Sequence, residues 1–276
     1  MALPEVQHWA LDGSSDGRRI HVRPRPSVDL EIVVPAYNEE SRIGPTLERM
    51  RTFLREQPYS AAVVVVDNGS VDRTADAVAE LQQAHEIPIH LINCARRGKG
   101  AAVRRGVLSS SADCVGFCDA DLATPIETLD LAWPLLLQGS PIVIGSRKLH
   151  GAQYLRCQPL LRRVGGWGFR VLAGRLVPTV TDTQCGFKLF RRPVGQRLFA
   201  MTREDGFAFD VEILALAKAL GVPISEVPVN WSDRPGSSFR PVKDGVASVR
   251  AMVAVSRRLR EEGGRRAQPQ SGEATA

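Results

Sequence analysis

The sequence has no run of the ~18 to 20 consecutive apolar residues that a membrane-spanning helix requires. Its first residues, interrupted by Asp12, Asp16, Arg18 and Arg19, lack the apolar stretch of a secretory signal. A cytoplasmic chain that touches the cytoplasmic face of a membrane at most peripherally is therefore expected. Cysteine is sparse and scattered: Cys94, Cys114, Cys118, Cys157 and Cys185. An odd, dispersed set is the pattern of reduced thiols and not of a disulfide framework. Cys114 and Cys118 share one side of an apolar run, but no second Cys/His pair has metal-site spacing, so both read as core thiols. Two phosphate-binding signatures, G-x-x-x-x-G-K-[ST] and G-x-G-x-x-G, are also missing.

What is present is an ordinary globular composition, 43% apolar and 24% charged, over a length that suits one large α/β domain. Lys and Arg outnumber Asp and Glu by 36 to 30, giving a net charge of +6. Such an excess attracts nucleic acid, an anionic membrane surface or a polyphosphate alike. No nucleic-acid-reading motif accompanies it, so nucleic acid is not an expected partner.

Residues 1–28 are polar, end in Arg23-Pro24-Arg25-Pro26, and read as a flexible arm. From there short β-branched runs alternate with helical windows. Strands are expected at 30–34, 62–66, 88–92, 114–118 and 142–144, and helices at 41–55, after Ser70 through Leu81, at 100–108 and at 125–137. The valine-rich 62–66 run suits a parallel strand covered on both faces. The second half is less regular, with helices expected at 160–176 and 211–220 and strands at 186–190 and 224–229. The expected domain spans 29–240, followed by an amphipathic helix within 241–262 and a disordered tail at 263–276. This alternation implies a doubly wound, mostly parallel sheet, whose ligands sit outside the C-terminal strand ends. The polar clusters fall there: Tyr37-Asn38-Glu39, Asp67-Asn68-Gly69-Ser70, Arg96 to Gly100, and Asp119-Ala120-Asp121.

Asp119 and Asp121 stand at i and i+2 just past an apolar strand, where two carboxylates can approach one cation. Mg²⁺ takes one or two carboxylates together with substrate phosphate oxygens, which suits a diphosphate. The bland alternative is a solvated acidic turn; the position at a buried strand's end favours the site. Asp67 can accept hydrogen bonds from a base or ribose, or cap the following helix, a task Ser70 could share. Arg96-Arg97-Gly98-Lys99-Gly100 combines glycines for close backbone approach with cations for phosphate, or is a basic surface turn. Arg147, Arg162 and Arg163 offer bidentate phosphate contacts, although surface arginines on a helix are commonplace.

Taken together, Val34-Pro35-Ala36-Tyr37-Asn38-Glu39-Glu40, Val66-Asp67-Asn68-Gly69-Ser70, Gly98-Lys99-Gly100 and Asp119-Ala120-Asp121 resemble the inverting glycosyltransferases of the GT-A fold. Asp182-Thr183-Gln184-Cys185-Gly186-Phe187-Lys188-Leu189-Phe190, Phe209-Asp210-Val211-Glu212-Ile213-Leu214 and Val229-Asn230-Trp231 resemble, within them, the polyprenyl-phosphate glycosyltransferases. The likeness is greatest to the dolichyl-phosphate β-glucosyltransferases, then to the dolichyl-phosphate mannose synthases. It runs from about residue 30 to 240.

The resemblance implies a metal-dependent hexosyltransferase of GT-A fold. Pro35, Tyr37, Glu39 and Asp67 would line base and ribose, and Lys99 would approach the nucleotide. Asp119, Ala120 and Asp121 would meet the diphosphate, with Asp119 and Asp121 holding Mg²⁺ or Mn²⁺. Arg147 would face the acceptor phosphate, helped by Arg162 or Arg163. Asp182 would sit near the reacting centre, orienting the acceptor or acting as base if that acceptor is a hydroxyl. The implied reaction is a single in-line displacement, with glucose from UDP-glucose passing to a polyprenyl phosphate. A soluble acceptor, or GDP-mannose as donor, remains open. Ala123 stands where mannose synthases often carry a glutamine, which leans toward the glucosyl relatives. No counterpart of the N-terminal membrane helix of the eukaryotic glucosyl enzymes is expected from these residues. In its place 246–259, with Val249, Met252, Val253 and Val255 and a basic end at Arg257, Arg258 and Arg260, either lies on an anionic membrane or packs on the domain.

Overall fold

The computed structural model describes residues 28–82, 87–156, 167–232 and 241–267. Residues 1–27 of the expected arm and 268–276 of the expected tail lie outside them, as do Arg162 and Arg163. In chain order the elements are β1 (Leu30–Ala36), α1 (Glu40–Arg55), β2 (Ala61–Asp67), α2 (Thr74–Leu81), β3 (Ile89–Asn93), α3 (Lys99–Leu108), β4 (Cys114–Cys118), α4 (Leu129–Leu137), β5 (Ile142–Ser146) and β6 (Gln153–Arg156). They continue with α5 (Trp167–Leu176), β7 (Phe187–Arg191), α6 (Arg192–Met201), α7 (Phe209–Ala219), β8 (Ser225–Pro228), β9 (Asn230–Ser232) and α8 (Pro241–Ala267).

Seven strands form one sheet in the order β3-β2-β1-β4-β7-β5-β8. All its pairings are parallel except those of β7, which runs antiparallel to both β4 and β5. Period-two alternation splits the core between the two faces. Leu30, Ile32 and Val34 of β1 join Val63 and Val65 of β2 under Ile43, Leu47 and Met50 of α1 and Leu129 and Leu136 of α4. On the other face Val33, Val64 and Val66 pack with Val103 and Val107 of α3, Phe199 of α6, Val211 and Leu214 of α7, and Met252 and Val255 of α8. Among the described residues no helix is long and apolar enough to cross a membrane.

Several elements depart from the sequence pattern. Helix α6 is not among the expected elements; the structure puts Pro193 in the helix's first turn, where its missing N–H costs no bond. A second, two-stranded parallel sheet of β6 and β9 was also not expected, being made of strands of four and three residues. Helix α8 continues to Ala267, beyond the expected end near Glu262.

The antiparallel strand carries a charge into the core. Lys188 of β7 has 0% exposure; its Nζ donates to Asp210 Oδ1 at 2.6 Å and to the Cys185 carbonyl oxygen at 2.7 Å, 5.5 Å from the centre of the Phe117 ring. Asp210, at the start of α7, is itself buried, and that burial pushes its carboxyl up against the opposing pull of Lys188 and then Lys99. A buried pair gains little over an apolar one, but losing one partner strands a charge. Asp210→Ala is therefore expected to lower stability by about 3–5 kcal/mol in urea denaturation, and Lys188→Met with Asp210→Leu to recover most of that. Equal losses in both would show that the charge is not the cause.

Candidate active site

The open rim of the sheet lies at the C-terminal ends of its parallel strands. Because β7 is antiparallel, its beginning reaches the rim where its neighbours end. That is why 182–186, far along the chain, meets the loop after β4. A Cβ built on Gly186 would collide with the Asp119 carboxylate, so the Asp119 side chain lies directly on the backbone leading into β7.

The turns after β1 and β2 are laced together. Asn38, in the left-handed region at φ 55°, accepts the Val71 N–H on Oδ1 at 2.9 Å, and its own N–H donates to Ser70 Oγ at 3.0 Å. Glu39 N–H donates to Thr74 Oγ1 at 2.8 Å, and the Glu39 carboxylate takes Arg42 at 2.6 Å. Burial pushes the Glu39 carboxyl up, with Arg42 opposing and Asp121 and Asp72 reinforcing. Asp67 accepts the Ser70 N–H on Oδ1 at 3.1 Å, so it braces its own turn. Tyr37 stands 41% exposed beside partly exposed Pro35.

At the centre of the rim Lys99 Nζ meets Asp119 Oδ1 at 2.5 Å. Burial works against the lysine's charge, but Asp119 and then Asp210 hold its proton more firmly, and its pKa is raised. Asp121 accepts the Ala123 N–H at 2.9 Å. Its carboxyl is pushed up by burial first and by the charge of Asp119 second, which Lys99 and Arg42 offset only in part. Ala120, between Asp119 and Asp121, is buried, and its carbonyl accepts from Thr46 Oγ1 at 2.6 Å.

Arg147, just past β5, and Asp182 form a second cluster. Nε and one Nη of Arg147 donate to the two carboxylate oxygens at 2.6 and 2.9 Å, and the Arg147 backbone N–H adds a third bond at 3.1 Å. The guanidinium lies 5.6 Å from the centre of the Trp231 ring on β9. Burial would raise the Asp182 carboxyl, yet these hydrogen bonds and the Arg147 charge outweigh it and hold it at about 2. A carboxylate held there is a weak base near neutral pH. Its geometry suits orientation of Arg147.

Four groups at the rim have partners that the sequence does not announce. Asn68 takes the N–H of Gly98 on Oδ1 at 2.7 Å and donates Nδ2 to the Arg96 carbonyl at 2.7 Å, fixing the turn that bears Lys99. In sequence it is an ordinary turn residue. Asp205 pairs with Arg96 and with Arg104, the latter at 3.1 Å, from over a hundred positions away. Glu204 beside it and Asp210 below read as parts of a surface turn and a helix start. Only the folding of 202–210 onto α3 reveals them.

The Asp182 geometry predicts a defined acid response. A carboxyl lowered to about 2 stabilises the fold fully above the unfolded value near 3.9 and loses that contribution as pH falls through 2. The stability difference between wild type and Asp182→Asn, read by urea denaturation, is expected to shrink by about 2 kcal/mol between about pH 5 and about pH 2. A difference independent of pH would contradict the pairing.

Comparison with known proteins follows this geometry. The family profile described as "Glycosyl transferase family 2" matches residues 31–199. A dolichyl-phosphate β-glucosyltransferase of Dictyostelium discoideum is 34% identical over 245 residues, 84% of this chain and 75% of that one. One from Drosophila melanogaster is 36% identical over 232 residues, covering 78% and 71%, and one from Homo sapiens 34% over 233 residues with the same coverage. Glucosyl-3-phosphoglycerate synthase from Mycobacterium tuberculosis, solved with phosphoglyceric acid, superposes with a TM-score of 0.62 over 89% of this chain and 82% of that one, at 22% identity. The same enzyme solved with Mn²⁺, UDP and glucosyl-3-phosphoglycerate gives 0.61. The fold is the Rossmann-like GT-A arrangement, and the chain is a glycosyltransferase that belongs to glycosyl transferase family 2.

Proposed function

We propose that this chain transfers glucose from UDP-glucose to the phosphate of a polyprenyl phosphate, with inversion at the anomeric carbon and with Mg²⁺ or Mn²⁺ at Asp119 and Asp121. The observation that carries the reading is the carboxylate pair Asp119 and Asp121 at the end of β4, in a chain 34–36% identical to dolichyl-phosphate β-glucosyltransferases. Among the described residues no group of three or more His, Cys, Asp and Glu could hold a metal ion. A cation at this pair would complete its shell from diphosphate and water, the mode Mg²⁺ favours. When bound, it supplies neutralising charge to the departing diphosphate.

The chain's own groups do the rest. Lys99, its proton held firmly, adds fixed positive charge beside Asp119. Exposed Tyr37, with Pro35, Glu39 and Asp67, lines the base and ribose side. Arg147 meets the acceptor phosphate, and Asp182 fixes the fork of its guanidinium. A phosphate acceptor is already anionic at neutral pH, so no strong base is needed, which agrees with the low Asp182 carboxyl. Positioning and electrostatic stabilisation then carry catalysis. GDP-mannose as donor and a soluble acceptor are the alternatives with the same chemistry.

The acceptor brings the chain to the cytoplasmic face of a membrane, and α8 has a face for it. Val246 at 49% exposure and Val249 and Val253 at 37% each lie on its outer side with exposed Arg250, Arg257 and Arg260. Met252 and Val255 turn inward to the core. Valines interleaved with arginines match an anionic lipid surface.

Three outcomes are expected. Purified protein with Mn²⁺ and radiolabelled UDP-glucose should move label into a solvent-extractable polyprenyl product, with far less transfer from GDP-mannose or to a water-soluble phosphate. Asp121→Asn should lower kcat at least about 100-fold at an unchanged melting temperature; wild-type turnover in that variant would remove the metal pair from the mechanism. In flotation with vesicles containing phosphatidylserine, the protein should bind in a salt-sensitive way. Val249→Asp with Val253→Asp should cut binding at least about tenfold, and binding untouched by either salt or this change would exclude α8 as the contact.

A further inference from the structure

Helix α8 reaches the nucleotide side of the rim through one ion pair and a train of backbone contacts. Arg258 of α8 sets Nη2 2.7 Å from Glu212 Oε1, and Glu212 is buried in α7 at 1% exposure. The same carboxylate accepts the Arg203 N–H on both oxygens, at 3.1 and 3.0 Å, and the Glu204 N–H on Oε2 at 2.8 Å. Glu212 therefore anchors the 202–208 loop between α6 and α7. That loop lies against the turn bearing Lys99. The space a side chain would need at Gly98, whose φ is 126°, is filled by the Asp205 backbone carbonyl, and at Gly100 by the Glu204 carbonyl and Phe209. Ala101 N–H donates to the Asp205 carbonyl at 3.2 Å, and the Asp205 carboxylate grips Arg96 and Arg104 on either side of the turn.

We infer that Arg258 is a positioning residue for the donor site. Arg258 holds the Glu212 carboxylate in place, Glu212 holds the backbone of Arg203 and Glu204, and that loop holds the Gly98–Ala101 turn so that Lys99 meets Asp119. The seating of α8 and the order of the donor turn are then one coupled equilibrium, and by reciprocity whatever orders the turn also secures the helix. This inference rests on the reading of the Lys99 turn as the nucleotide side.

Hydrogen exchange on the full chain tests it. In ligand-free protein, Arg258→Met should speed exchange at the amides of Arg203, Glu204 and Ala101 at least about fivefold, while those of β1 and β2 keep wild-type rates. Arg258→Lys should restore most of the protection, and Glu212→Gln, which keeps an acceptor for the two N–H groups, should fall between. In the wild type, UDP with Mn²⁺ should slow exchange across α8, and in Arg258→Met it should not. Faster exchange confined to α8, or loss of protection throughout the sheet in all three variants, would overturn the positioning role. So would binding of UDP that leaves α8 unchanged. Absence of any UDP binding in wild-type calorimetry would instead overturn the donor reading, and the ligand-free comparison would still decide the role of Arg258.

Discussion

Lys99 against Asp119 is the contact on which the rim depends. A lysine beside a carboxylate on a surface loop would contribute little. Here the ammonium is closed in by Asp119 and, below it, Asp210, and the second carboxylate in turn faces Lys188 in the core. Charges thus alternate from the rim downward: Asp119, Lys99, Asp210, Lys188. Each member is tolerable because its neighbour is opposite in sign, and each would be costly alone. The glycines of the Gly98–Lys99–Gly100 turn admit this arrangement, since side chains there would displace the 204–205 backbone.

The two clusters at the rim differ in electrical state, and the difference divides the chemistry. Burial, and then the charge of neighbouring Asp119, raise the Asp121 carboxyl. In the proposed reaction a cation, and behind it a diphosphate, would complete that side. Arg147 and Asp182 are already matched in charge and doubly hydrogen-bonded, with the guanidinium over Trp231. This side is fully paired within the chain, an arrangement that in the proposed reaction would orient a phosphate acceptor with little further ordering. Gly186 joins the two, since its lack of a side chain lets Asp119 rest on the strand that follows Asp182.

The strand carrying that junction is the one antiparallel member of the large sheet. Had β7 run parallel to its neighbours, its N-terminal approach would lie at the opposite edge and Asp182 would be a sheet's thickness of chain away from the rim. Its reversal also pairs Lys188 with Phe117 across β4, which brings the buried cation under the site.

Local pattern alone determined the first half of the fold. The valine run ending in Asp67 and the apolar run ending in Asp119 have the pattern of buried strands whose polar ends face a rim, and β1 to β5 were legible to within a residue or two. The order of motifs likewise marked the family before any coordinate. Partnership was decided by the tertiary structure. Nothing near Arg147 in sequence announces that it is locked to Asp182, and nothing near Lys99 announces that the 204–205 backbone packs on its turn with Asp210 beneath it. Helix α6 contains Pro193 and Gly195, residues whose local preference is for turns until packing on Phe190 and α3 overrides it. Periodicity reports which face of a segment is buried, because burial follows the local repeat of the backbone. Which charge meets which is set by the direction of β7 and the path of 202–210, and those are properties of the assembled sheet.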